Sequence, residues 1–187
     1  MLNFDIEWSE LQAVAGELQA SEKQFKAALS RACNRTAATL RKMSSRGLKD
    51  ELQLRTLAVL RKRLKSIRLR SKGAVGVVLW YGLNDLPVSS FKGRVRQTKE
   101  GADFRGHQFK GAFVAKSGIK GKRTVFKRTG TGRLPIAEQL MPIKDQADIF
   151  IEDEIFTQVE EIFWNHFRRD ITARVKYNLA TSDRWSK

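Results

Sequence analysis

Residues 60–81 read LRKRLKSIRLRSKGAVGVVLWY, and the apolar period changes inside that stretch. Before it, Leu57, Leu60 and Leu64 fall at helical steps with Arg55, Arg61, Lys62 and Arg63 on the other face, which predicts a helix over 53–65. After it, Ile67 and Leu69 alternate with Arg68 and Arg70, and 74–81 is almost continuously apolar. An alternating strand before Lys72-Gly73 and a continuously apolar one after it predict a β-hairpin with one wet, basic face. A chain that passes from helix to hairpin in this way belongs to the α+β class.

The flanks extend that reading. Ser21 followed by Glu22 marks a helix start, and Phe25, Leu29, Ala32, Thr36, Leu40 and Met43 then form one stripe, which predicts a helix over 21–45 stopped by Gly47. Lys23, Arg31, Arg35, Arg41 and Lys42 lie opposite as a solvated face. Downstream, Leu86-Pro87-Val88 turns away from the sheet, because proline cannot donate to a central ladder. Residues 89–111 read as a long exposed loop with a short strand at 91–97. Residues 111–115 and 124–128 bracket a basic tip and predict a second hairpin. From 147 to 179 the period is helical again, with Ile155, Val159, Phe163 and Phe167 in a broad apolar stripe. A helix of that length overhangs a small sheet, so these four residues are expected to form an assembly interface. The fold expected is α+β: an antiparallel sheet of four or five strands, an N-terminal helical pair and a long C-terminal helix. Residues 1–20 read as an acidic extension and 21–187 as a single domain.

Charge narrows the partners. The chain carries 36 Lys/Arg against 20 Asp/Glu, a formal +16. Residues 31–72 hold 14 Lys/Arg against 2 Asp/Glu, and residues 89–133 hold 13 against 2, while both ends are mildly acidic. Such a field attracts polyanions at long range. Arg61, Lys62, Arg63, Arg68, Arg70, Lys120, Lys122 and Arg123 are the candidate DNA-binding residues. Aromatic side chains interleave too thinly for stacking on single strands, so non-specific contact with duplex phosphates is favoured. A soluble cationic surface, or an interface to an acidic protein, fits the same charge.

Signs of catalysis are lacking in the sequence. It contains no phosphate-binding loop ending in Gly-Lys-Ser/Thr, no His-Glu-x-x-His and no Gly-x-Ser-x-Gly. The single Cys33 reads as a buried small residue, His166 as the polar edge of an apolar stripe, and His107 as a loop residue. No catalytic residue, metal ligand or cofactor is assigned, and the reading is non-enzymatic. No apolar run approaches the length of a membrane span, and no basic-then-apolar leader is present, so a cytosol-like compartment is expected.

Several short blocks recur in a fixed order: Asn34-Arg35, Leu60 to Lys65, Asp85-Leu86-Pro87-Val88, Gly111-Ala112-Phe113-Val114, Lys127-Arg128-Thr129-Gly130 and Arg133-Leu134-Pro135-Ile136. With the closing proline and long helix, this order over about residues 28–145 resembles the minor tail protein Z family of lambda-like phages and prophages. The acidic first 20 residues and the acidic, aromatic C-terminal helix depart from the family pattern. The resemblance implies a structural minor tail protein at the head-proximal end of a long-tailed virion, acting in tail completion and head–tail joining after assembly in the host cytoplasm. It implies other tail and neck proteins and the genomic double-stranded DNA as partners, and a homo-oligomeric ring, often a hexamer, around the DNA channel. The alternative is a free, sequence-independent nucleic-acid-binding protein.

Overall fold

The computed structural model of the chain describes residues 7–71, 74–117 and 121–179, with only the strand backbone over 66–71 and 74–77. It is a mixed α+β protein. In chain order the elements are α1 (Trp8–Glu17), α2 (Glu22–Glu51), α3 (Ala58–Arg61), β1 (Leu64–Ser71), β2 (Ala74–Tyr81), β3 (Leu86–Pro87), β4 (Arg96–Gln97), β5 (Gly101–Phe104) and β6 (His107–Lys110). Then follow β7 (Ala112–Ser117), β8 (Lys122–Arg128), β9 (Ile136–Glu138), β10 (Leu140–Met141), α4 (Lys144–Phe150) and α5 (Val159–Lys176). They divide into two compact units, Met1–Ser44 with Leu64–Tyr81 and Ile151–Lys187, and Ser45–Arg63 with Gly82–Phe150.

The first unit starts with a reciprocal cap. Ser21 Oγ accepts from the Gln24 backbone N–H at 3.3 Å, while Gln24 Oε1 accepts from the Ser21 N–H at 2.9 Å, which opens α2 where the sequence indicates. Gln24 Nε2 also donates to the Arg174 carbonyl near the end of α5. Phe25, Ala28, Leu29 and Ala32 follow at helical spacing and are buried with Leu11 and Ala15 of α1 and with Phe163, Phe167 and Ile171 of α5. The alanines leave room for rings. Phe163 and Phe167 stack with centroids 5.9 Å apart, and Phe25 meets Phe167 edge-on at 6.0 Å. The acidic segment at the start of the chain therefore supplies a helix whose inner face is core.

This packing corrects the assembly interface expected at Ile155, Val159, Phe163 and Phe167. All four are buried within the chain, Phe163 at 2% and Phe167 at 0% exposure. Phe163 and Phe167 pack against α1 and α2, so the chain itself covers the stripe there. Nor does one continuous α-helix span 147–179. The chain leaves α4 through a wide π turn at Ile151–Ile155 and a 3₁₀ turn at Phe156–Gln158, where it passes from the second unit to the first, and α5 then runs 18 residues. Also in the first unit, β1 and β2 form the expected hairpin, in register from Leu64↔Tyr81 to Ser71↔Ala74. Tyr81 closes its base through a 2.9 Å hydrogen bond between its hydroxyl and Ser44 Oγ.

Gly47 does not stop α2. A Cβ at this position would lie 2.1 Å from Phe150 Cζ, so the glycine provides room for a ring and the helix continues to Glu51. The stop is Gln53 at φ 51°, with the Leu54 N–H returning to the Lys49 carbonyl at 2.7 Å. Gln19 after α1 and Asn178 after α5 do the same at φ 53° and 51°. Because Gln53 turns the chain, the helix expected over 53–65 shrinks to α3, and Leu64 onward joins β1.

In the second unit, the stretch read as a long loop is a three-stranded sheet, β4–β5–β6, closed by an Arg105-Gly106 turn with both φ positive, at 55° and 81°. Arg105 then spans the end of α2, donating to the carbonyls of Leu52 and Lys92 at 3.2 and 2.7 Å. Pro87 enters a ladder after all, paired with Leu140 in the two-residue sheet β3–β10. The second predicted hairpin is β7–β8, extended by β9. Glu138 ties that sheet to the turn after β3, accepting from Thr124 Oγ1 at 2.6 Å and from the Ser89 N–H at 2.8 Å. Among the described residues the strands thus form four small antiparallel sheets of two or three strands, in place of the single sheet of four or five expected. Most strands are only two to four residues long, too short to carry a ladder across a wide sheet.

Gly101 yields a direct test of this packing. Its φ is 156°, and a Cβ would sit 2.1 Å from the Phe109 carbonyl oxygen and 3.0 Å from the Gly111 nitrogen, both backbone atoms. Gly101→Ala should lower stability by about 1–3 kcal/mol or more, read as an earlier urea midpoint.

Candidate nucleic-acid interface

The charge is unevenly divided. The second unit holds 20 Lys/Arg against 8 Asp/Glu, a balance of +12, while the first holds 16 against 12, a balance of +4. Among the described residues, the first unit pairs Lys26 with Glu22 and gathers Arg31, Arg35 and Arg174 on Asp170, whereas the second has only the neighbours Lys49 and Asp50. The larger excess is thus the less neutralised one.

The candidate residues fall on both units. Arg61 and Lys62, at the end of α3, are exposed and make no ion pair with a described residue. Lys122 and Arg123 on β8 are exposed and likewise unpaired. Arg63 differs: its guanidinium donates to the carbonyls of Asn84 and Asp85, so it fixes the loop after β2 instead of standing free. Arg68 and Arg70 belong to the first unit, opposite Val77 and Val75 in the hairpin register, and their side chains lie outside the described residues. Lys120 also lies outside them.

Sequence reading missed Lys116. The β7–β8 register sets it directly opposite Arg123, and both are exposed. Like charges facing across a ladder destabilise a sheet, so this pair costs the fold something and is not there to hold it together. The signal existed only in the register, which depends on how the tip between the strands closes. Arg94, Lys99 and Lys110 add exposed charge in and beside the β4–β6 sheet.

Burial raises the Cys33 thiol above its usual range and keeps it protonated at the edge of the first unit's core. His107 is exposed, its ring edge-on to Phe109 at 4.7 Å. His166 sits half-buried on α5 with Nε2 3.3 Å from Thr39 Oγ1, and burial, aided by Arg35 and Arg169, holds its pKa below the ordinary 6.5. The unfolded chain then binds the proton more readily. Stability should accordingly hold above pH 6.5 and decline as the pH falls below it toward the folded-state value, and His166→Gln should flatten that decline in urea melts at pH 5 to 7.5.

Among the described residues, no group of three or more His, Cys, Asp or Glu side chains is arranged to hold a metal ion. No described helix is long and apolar enough to cross a membrane. No protein-family model matches the chain, and neither do curated protein sequences or solved structures.

Proposed function

We propose that this chain is a structural, non-enzymatic minor tail protein of a long-tailed bacteriophage or prophage, acting at the head-proximal end of the tail in tail completion and head–tail joining. In this reading it works as a ring of copies, six as the working number, among other tail and neck proteins, and contacts the packaged duplex without reading its sequence. The observation that carries the DNA contact is the +12 of the second unit, exposed at the end of α3 and along β8 and, among the described residues, scarcely neutralised by ion pairs. Charge at that density repels itself and favours a polyanionic partner. The ordered sequence blocks from Asn34-Arg35 to Arg133-Leu134-Pro135-Ile136 support the virion setting.

A surface for a genome that must move past it needs diffuse positive charge and few base contacts. The expected behaviour is duplex binding that is indifferent to sequence and weakens steeply with salt. Fluorescence anisotropy with unrelated duplexes across a salt series checks the contact, and native mass spectrometry checks the ring. Strong preference for one sequence would refute diffuse binding. A monomer that binds duplex and never forms rings, alone or with tail proteins, would favour the free nucleic-acid-binding protein.

A further inference from the structure

We propose that Arg31 and Arg35 on α2, oriented by the carboxylate of Asp170 on α5, form a clamp for a phosphate group. Asp170 is buried, and its charge is already matched: the buried Arg174 donates from Nε to Oδ2 at 2.6 Å. Arg31 Nε and Arg35 Nη1 stand 3.5 and 4.0 Å from the other oxygen, Oδ1. These distances suit long-range attraction and are too long for strong hydrogen bonds. Neither guanidinium donates a hydrogen bond to another described residue, and their side chains are 53% and 43% exposed. Two arginine forks, one helical turn apart, are therefore held in place with their donors open to solvent.

The surroundings add positive charge. His166 lies one turn before Asp170 and faces Thr39 of α2, while Arg35 and Arg169 both disfavour its protonation. Asp170 thus leaves the field along this seam positive. Such an arrangement fits a phosphate, which accepts paired N–H donors and brings the charge that the seam lacks. The phosphate is either a free anion or a phosphodiester of nucleic acid. The clamp belongs to the first unit and is independent of the duplex contact proposed for the second.

His166 reports occupancy. Burial, aided by repulsion from Arg35 and Arg169, holds the imidazole pKa down; an anion beside Arg35 offsets part of that repulsion, so the titration midpoint should move up. The test follows the His166 resonances by NMR in the full chain at constant ionic strength, with inorganic phosphate in one arm and a short duplex in the other, using His107 for comparison. An upward shift with phosphate supports the clamp with a free anion as ligand; a shift with duplex alone supports it with a phosphodiester. In Arg31→Gln/Arg35→Gln the midpoint should start higher and no longer respond, and affinity for the active probe should fall about tenfold or more. Lys122→Ala/Arg123→Ala should keep the response, which separates this site from the second unit's surface. Arg35→Gln alone, with Arg31 and Arg174 still beside Asp170, provides a milder variant should the double one fold poorly. No shift with either probe, or a shift that survives in the arginine variants, overturns the proposal.

Discussion

Phe167→Ala should lower the stability of the chain by about 3–5 kcal/mol, the range for emptying a large aromatic site in a packed core. Phe167 is fully buried, stacked on Phe163, and in edge contact with Phe25 and Trp164. Few neighbours are free to collapse into the space, since Ala28 and Ala32 on the facing helix have no side-chain length to offer. The double change Phe163→Ser/Phe167→Ser should abolish cooperative unfolding, because the combined loss approaches the whole stability of a typical domain. Urea melts followed by circular dichroism measure both. Any assembly defect in these variants should follow the unfolded fraction. If the double variant kept a wild-type melt yet failed to assemble, the stripe would be a surface after all.

The second large effect concerns DNA. Alanine at Arg61, Lys62, Lys122 and Arg123 together reduces the second unit from +12 to +8 without touching a described ion pair. If each contacts a phosphate, duplex affinity should fall about 100-fold or more near physiological salt, and the log–log salt slope should drop by about 3–4 units. Arg63→Ala should behave differently, losing stability through the Asn84 and Asp85 carbonyls while leaving the slope nearly unchanged. Anisotropy titrations at several salt concentrations separate the two outcomes. An unchanged slope in the fourfold variant would assign this charge to a protein partner.

Local sequence determined a good deal. The Ser21–Gln24 cap, the alternation around Lys72-Gly73, the second hairpin, the α5 stripe and the two basic blocks all depend on neighbours within a few residues, so their periods and charges could be read directly. Tertiary structure decided what those patterns are for. A stripe at Ile155, Val159, Phe163 and Phe167 has the same period whether another subunit or the chain itself covers it, and only the packing buried it. Gly47 reads as a helix stop until Phe150, about 100 residues later, occupies the space beside it, while α1, α2 and α5 end on Gln19, Gln53 and Asn178, which carry no strong stop signal. Strand lengths and partners, hence four small sheets instead of one, were set by turns such as Arg105-Gly106 and by the clasp of Glu138 on Ser89 and Thr124. Arg31 and Arg35 looked like a solvated face because Asp170 lies about 135 residues away, and a local pattern carries no information about a partner that distant in the chain.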